Sequence, residues 1–176
     1  YLQIGMGFGP LESGLRAAPW TMVPMVVAPV AGVLVKRYGP RAVLLIGMVL
    51  QTAAVGCFVL LAHTSSGYGP YVLPMLIAGT GMGLTFSPLA TAVLEGIASQ
   101  DRAVVSGVNQ TARQLGTATG IALCTALFTA FGAYAPGERF TAGLVPALGS
   151  CTVLLVVATA LVIAMPRGRL QPAGQQ

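Results

Sequence analysis

A row of polar side chains follows one face of an otherwise apolar stretch at residues 103–131. Spaced as residues on one face of an α-helix are, its members are Ser106, Asn109, Gln110, Arg113, Thr117, Gly120 and Cys124. An ionisable side chain within an apolar span is costly in lipid and usually faces protein or a water-filled cavity. One hypothesis is therefore that Arg113 and its polar neighbours line a cavity or an inter-helix contact, where they help to gate or hold a small molecule. These neighbours are Asn109, Gln110, Gln114 and Thr117.

A structural role for Arg113 is the alternative. The residue lies within about three helical turns of the predicted cytoplasmic end of its span, so its long side chain can extend to the membrane interface. It can also pair with Glu95 and hold two helices together. Replacing Arg113 distinguishes the two interpretations, because only the first predicts a loss of function at a normal protein level.

The elements that position this row belong in a membrane, because the chain has too little polar surface to enclose a water-soluble core. Of its 176 residues, 55% are hydrophobic and only 7% are charged, and the mean hydropathy is +0.81. Soluble domains carry about 25% charged residues. The net charge of +5 does not indicate a nucleic-acid partner, since the cations stand at the ends of apolar runs rather than on one solvated face.

The residue types that enzymes and metal sites need are not arranged for chemistry. An intramembrane enzyme requires paired carboxylates, a His/Glu metal set or a nucleophile beside a base, and the sequence has no such pattern. The three cysteines, Cys57, Cys124 and Cys151, lie in different apolar runs and are expected to be small packing residues. We therefore predict no catalytic residue, no metal site and no cofactor.

Five apolar runs are predicted to cross the membrane as helices, so the expected fold class is all-α, a polytopic membrane helix bundle. About 20 residues with a rise of 1.5 Å each cross a hydrocarbon core of ~30 Å. The spans are expected at about residues 14–35, 42–62, 72–94, 103–131 and 144–165. Residues 1–13, rich in glycine, are predicted to be a helix end and an outer loop, and the tail 166–176 to be disordered in the cytoplasm.

A basic turn at residues 32–41 sets the predicted orientation, because Lys and Arg in short loops stay on the cytoplasmic side. With this turn inside, the cations on the inner side are Lys36, Arg37, Arg41, Arg102, Arg167 and Arg169. Arg16 and Arg139 fall on the outer side. The sequence thus predicts a multi-pass protein of the cell (plasma) membrane with an outer N-terminus and a cytoplasmic C-terminus.

Small and polar residues within the spans indicate how the helices pack. Two pairs with the pattern small-x-x-x-small allow close helix approach, namely Gly79 with Gly83 and Gly116 with Gly120. Gln51, the lone polar residue midway along the second span, is expected to make a helix–helix hydrogen bond.

The third span also carries side chains that suit a permissive drug cavity. Met and aromatic side chains adapt to varied apolar ligands, and this span holds Met75, Met82, Phe86 and Ser87. Residues of these types at helical spacing also serve as ordinary core packing. Both interpretations of Met82 and Phe86 remain open.

The basic turn and four other pieces resemble a known family. The turn reads Gly32-x-Leu34-x-x-Arg37-x-Gly39-x-Arg41, which resembles the loop signature G-x-L-x-D-R-x-G-R-R of the major facilitator superfamily. Four further pieces resemble motifs of the fourteen-span drug:proton antiporter branch of that superfamily. They are Tyr1-Leu2-Gln3, Gly14-Leu15 with Pro19, Gly79-x-Gly81-x-Gly83, and Ser106-Gly107-x-Asn109-x-x-x-Arg113-Gln114-Leu115-Gly116. The acidic position of the signature is Lys36 and the first of its paired cations is Pro40, so a gating contact through that carboxylate is absent from this loop.

This resemblance implies helices two to six of the C-terminal six-helix half of a transporter, preceded by the end of helix one. It implies proton-coupled export of small hydrophobic compounds or drugs by alternating access, in which the partners are the lipid bilayer, the substrate and a missing N-terminal half. That half is expected to hold the proton-carrying carboxylates. Because five helices cannot form a site between two halves, no transport by this chain alone is expected. A small membrane scaffold or assembly protein is the alternative function.

Overall fold

In a computed structural model the chain forms five α-helices, and the structure describes residues 3, 6–64, 67–94, 98, 100–133 and 138–164. The helices are α1 (Pro10–Tyr38), α2 (Pro40–Thr64), α3 (Gly69–Leu94), α4 (Arg102–Phe131) and α5 (Glu138–Ala164). No strand occurs within these ranges. The prediction of an all-α bundle is therefore confirmed. Met165 and the tail 166–176, for which the sequence predicts a helix end and disorder, lie outside the described residues.

The central helix is α3, which packs against both α1 and α2. Its glycines Gly79 and Gly83 face α1. A Cβ atom on Gly79 would lie 2.9 Å from the carbonyl oxygen of Trp20, and one on Gly83 would lie 2.9 Å from Cβ of Val27. Only hydrogen side chains at these two positions leave room for α1 at its observed distance.

The opposite face of α3 contacts α2 at similarly close range. A Cβ atom on Gly81 would lie 2.7 Å from the carbonyl oxygen of Gly47, and one on Gly47 would lie 2.8 Å from the carbonyl oxygen of Gly81. Beside this contact, Nε2 of Gln51 donates to Oγ1 of Thr85 at 3.4 Å, which is a long hydrogen bond. The predicted helix–helix hydrogen bond of Gln51 is therefore present, between α2 and α3.

The second glycine pair has a different environment. A Cβ atom on Gly116 or Gly120 of α4 would meet no atom within 4 Å in the described part of the chain. Their role in close helix packing therefore stays a prediction, because no helix described here covers that face.

Two hydrophobic clusters join the helices. In the first, Ala31 of α1 and Val43 of α2 are buried with Leu84 of α3. In the second, Phe128 of α4 packs edge-on against Phe140 of α5, with ring centroids 5.2 Å apart. The first cluster joins α1, α2 and α3, and the second joins α4 to α5. Contacts between α2 and α5 connect the two groups of helices, and α4 itself has few contacts with α3.

The helices extend further into the basic segment than the predicted turn allows. Lys36 and Arg37 lie in the last turn of α1, and Gly39 alone separates α1 from Pro40, the first residue of α2. Gly39 has φ 83° and ψ 156°, a backbone conformation that is essentially restricted to glycine. A proline suits the first helical position that follows it, because its fixed φ is already helical. The broad turn predicted from the basic residues is therefore a one-residue break.

The start of α1 also differs from the predicted outer loop. Residues 10–13 are helical, and Pro10 occupies the first turn, where its missing N–H group costs no hydrogen bond. Glu12 and Arg16 form a 2.6 Å ion pair one turn apart, and the Arg16 guanidinium lies 3.7 Å from the ring centroid of Phe8. Helix α1 therefore begins at Pro10, earlier than the predicted outer loop at residues 1–13 allows.

Four helices are long and apolar enough to cross a membrane by length and composition, namely α1, α2, α4 and α5. Within the described residues, the central helix α3 is not counted among them. The number of five spans, their bounds and the orientation of the termini stay predictions.

Candidate functional site

The polar row lies on α4, and most of it is uncovered. Arg113, Gln110 and Thr117 are exposed, whereas Asn109 is half-buried. Gln114, beside Arg113, is also exposed. Toward the other end of α4, packing against α5 covers one side of the helix at the phenylalanine cluster. The candidate site residues of α4 are therefore presented on a free surface in this chain.

Arg113 reaches from α4 toward α3. Its guanidinium carbon lies 5.1 Å from the ring centroid of Phe86, within the range of a cation–π interaction. Phe86 is 40% exposed, and Met82, one turn before it on α3, is half-buried. The structure thus brings together two residues that the sequence analysis assigned to separate groups. Arg113 belongs to the polar row, and Phe86 belongs to the third-span side chains that suit a drug cavity.

The backbone around Arg113 is regular. The hydroxyl of Thr117 donates to the carbonyl oxygen of Arg113 at 2.9 Å, which is a local helix bond and not a contact to another element. Within the described ranges, Arg113 has no ion pair with a carboxylate. The alternative partner Glu95 lies outside the described residues, as does the side chain of Ser87.

The loop-signature residues hold the other end of the bundle together. Leu34 packs against the cluster of Ala31 and Val43, and Gly39 makes the break between α1 and α2. Nη2 of Arg41 donates to the carbonyl oxygen of Ile163 in the last turn of α5 at 2.6 Å. A guanidinium at a helix C-terminus satisfies a free carbonyl and opposes the negative end of the helix dipole.

The other two signature residues make fewer contacts. Arg37 is exposed, and its guanidinium carbon lies 5.5 Å from the ring centroid of Tyr38. A Cβ atom on Gly32 would meet nothing within 4 Å in the described chain. Nη1 of Arg41 is buried and has no hydrogen-bond partner among the described residues. The signature therefore joins α1, α2 and α5 mainly through Leu34, Gly39 and Arg41.

An apolar cavity of about 690 Å³, which the sequence did not reveal, lies between four helices. The first halves of α1, α3 and α5 and the last part of α2 form its wall, whose larger side chains include Trp20, Phe58, Tyr71, Met75, Leu144 and Leu148. Tyr71 is buried, and its hydroxyl donates to the carbonyl oxygen of Leu61 at 3.0 Å. Of the third-span candidates, Met75 lines this cavity, whereas Met82 and Phe86 do not. Spacing along one helix could not indicate a space enclosed by four.

Comparison with known proteins gives a family match over most of the chain. The model of the Major Facilitator Superfamily matches residues 1–121. The chain is 30% identical over 169 residues to the uncharacterized transporter YebQ of Escherichia coli (strain K12), which covers 96% of this chain and 36% of that protein.

Two further relatives are named for drug resistance or export. The multidrug resistance protein B homolog of Mycobacterium tuberculosis is 32% identical over 131 residues, which is 73% of this chain and 24% of that protein. The tetracenomycin C resistance and export protein of Streptomyces glaucescens is 31% identical over 123 residues, 70% of this chain and 23% of that protein. The chain therefore spans only about a quarter to a third of the length of these curated relatives.

Proposed function

Because this chain belongs to the major facilitator superfamily, as a multi-pass membrane protein of its drug-efflux branch, we propose that it forms part of a multidrug or antibiotic exporter. Relatives named for multidrug resistance and for tetracenomycin C resistance and export support this proposal. In the proposal, the complete transporter exports small hydrophobic compounds in exchange for protons and works by alternating access. Since the relatives are several times longer, transport requires more chain than these five helices.

The main structural support for this proposal is the exposed polar face of α4. Placing an arginine at the centre of a lipid-exposed helix costs about 2.5 to 3.5 kcal/mol on insertion scales. The exposed amides and hydroxyl beside Arg113 add to this cost. We therefore infer that this face meets a water-filled cavity or another part of the transporter rather than lipid.

Phe86 and Met82 supply the apolar part of the same surface. The contact between Arg113 and the Phe86 ring sets a cation beside an aromatic face, and Met82 lies one helical turn away. A wall that combines a charge, amides and adaptable apolar side chains suits substrates that are largely hydrophobic but carry a few polar groups. We therefore propose drugs and antibiotics as substrates, the compounds for which the relatives are named.

The carboxylates that carry protons belong elsewhere in the proposed transporter. This chain has four acidic residues, Glu12, Glu95, Asp101 and Glu138, and all stand near the ends of apolar runs. Asp101 occupies the N-cap position of α4, where a negative charge favours the helix N-terminus. We propose a structural role for Asp101 and place the coupling carboxylates in the part of the protein that precedes this chain.

We further propose that the α1–α2 junction lies in the cytoplasm, as short basic loops do. The test uses Arg37→Cys in cells, on a background with Cys57, Cys124 and Cys151 replaced by serine. An impermeant maleimide should leave Arg37→Cys unlabelled until the membrane is opened. Labelling in intact cells would contradict the orientation.

Replacement of Arg113 tests the proposed site. The complete transporter is expressed in a drug-sensitive bacterium, and efflux of a fluorescent hydrophobic cation is measured at matched protein level. We expect Arg113→Gln to lower the efflux rate about tenfold, which corresponds to ~1.4 kcal/mol, and Arg113→Lys to retain part of it. Arg139→Gln, a matched change at an exposed cation near the start of α5, should have no effect.

The outcomes separate the site from the structural alternative. Normal efflux by Arg113→Gln at normal protein level would refute a role of Arg113 in gating or binding. A loss of protein rather than of efflux would favour the structural role, in which the guanidinium only holds helices together.

A further inference from the structure

Two cysteine side chains from different helices meet in the bundle. Sγ of Cys124 on α4 lies 3.2 Å from Sγ of Cys151 on α5, and both side chains are half-buried. The third cysteine, Cys57 on α2, is exposed. The predicted separate packing roles are therefore incomplete for Cys124 and Cys151, which form one dithiol pair.

The packing around the pair keeps the two sulfur atoms together. Cys124 contacts the cluster formed by Phe128 of α4 with Phe140 and Ala147 of α5. Its Sγ also lies 3.9 Å from the carbonyl oxygen of Ala147, one turn before Cys151. This cluster holds α4 against α5 and thereby keeps the two thiols side by side.

We propose that Cys124 and Cys151 are an oxidation site, which a membrane-permeant two-electron oxidant of the diazene class converts into a disulfide between α4 and α5. The S–S bond of a disulfide is about 2.05 Å long, so the sulfur atoms need to approach by only ~1 Å. Both thiols lie within apolar helices, and the oxidant must therefore enter the lipid.

The reaction is balanced by the oxidant. One thiol adds across the N=N bond to form an S–N bond, and the second sulfur attacks the first sulfur, breaks that S–N bond and releases the hydrazine. Two S–H bonds are lost and one S–S bond forms. The two protons and two electrons pass to the diazene, which leaves as a hydrazine.

The disulfide joins α4 to its main neighbour. Because α4 has few contacts with α3, it is held to the bundle mainly through its contact with α5. A covalent link there fixes the face that carries Arg113. Oxidation of this pair is therefore expected to restrict α4 while leaving the other helices unchanged.

Peptide mapping of the intact chain tests the site without a substitution. The 176-residue protein is placed in lipid nanodiscs, one copy per disc, and treated with diamide, a membrane-permeant diazene. Remaining thiols are then alkylated and the protein is digested with trypsin. Cleavage after Arg113, Arg139 and Arg167 puts Cys124 in peptide 114–139 and Cys151 in peptide 140–167. We expect the two peptides to remain joined, with the loss of two hydrogen atoms, until a reducing agent separates them.

Two variants provide matched controls. Cys57→Ser should give the same linked peptides in the same yield, and Cys151→Ser should give none. Recovery of the two peptides unlinked after diamide treatment would overturn the proposal. The predominant capture of Cys57 in peptide 42–102, or irreversible oxidation of Cys124 without a link, would overturn it as well, because either result means that the two thiols do not meet.

Discussion

The contact between α2 and α3 predicts that alanine at Gly81 destabilises the bundle. A Cβ atom there would lie 2.7 Å from the carbonyl oxygen of Gly47, 2.8 Å from Cγ of Gln51 and 2.9 Å from the backbone nitrogen of Gln51. Nonbonded carbon atoms prefer a separation of about 3.5–4.0 Å. Two of the three neighbours are backbone atoms, so relief of the overlap requires α2 to move and not only a side chain.

The expected magnitude follows from a comparison with Gly120→Ala in α4. Both substitutions replace a glycine within a helix and share the gain in helix propensity of about 0.5–1 kcal/mol. Only Gly81→Ala adds the overlap, since a Cβ atom at Gly120 would meet nothing within 4 Å in the described chain. Overpacking costs typically 1–3 kcal/mol. We therefore expect Gly81→Ala to be less stable than Gly120→Ala by about 1–3 kcal/mol, a factor of about 5 to 150 in the unfolding equilibrium.

Trp20, the single tryptophan, provides the assay. Its carbonyl oxygen contacts the Gly79 position of α3 and its residue lines the cavity, so its fluorescence reports the loss of packing between α1 and α3. Purified variants in a mild detergent are titrated with dodecyl sulfate, and the midpoints are compared. A midpoint for Gly81→Ala equal to or above that for Gly120→Ala would refute the close approach of α2 and α3.

Two further predictions concern the α1–α2 junction and use the same titration. Gly39→Ala should lower the stability of the bundle by about 1–3 kcal/mol, because φ 83° with ψ 156° is strained for any residue with a Cβ atom. The control Gly32→Ala lies in open space and should be neutral or stabilising, so equal midpoints for the two variants would contradict this prediction. Arg41→Met should lower the stability by about 1.5 kcal/mol, because it leaves the Ile163 carbonyl without its charged donor. The control Arg37→Met, at an exposed site, should leave the stability unchanged, and an unchanged midpoint for Arg41→Met would show that the bond to Ile163 contributes nothing.

The sequence predicts the helices well because each depends on its own residues. A run of apolar side chains without charges requires internal hydrogen bonds in lipid, and a helix supplies them. The ends of the helices depend on fewer signals. Residues 32–38 contain cations but no residue that stops a helix, so α1 continues through them to Gly39. Charge indicates where a chain meets water, whereas backbone conformation determines where a helix ends.

The pairing of helices is harder to predict from the sequence. The motif around Gly79, Gly81 and Gly83 indicates close packing, but not that its two faces contact different helices, α1 on one side and α2 on the other. Similarly, the spacing of Cys124 and Cys151 along the chain gives no sign that they meet. Contacts between distant segments depend on the rotation of each helix about its axis, and uniformly apolar helices carry a weak signal for that rotation.

The contrast between α4 and α5 supports the proposed position of the transport site. Both helices are long, and little of either span is buried in this chain. However, α5 is the most apolar of the four candidate spans and α4 the least. A helix that exposes apolar side chains on most of its surface is suited to lipid, whereas one that exposes Arg113 and amides is not. The two helices pack through the cluster of Phe128 and Phe140, and the proposed exporter assigns lipid to the apolar surface of α5 and the transport site to the free face of α4.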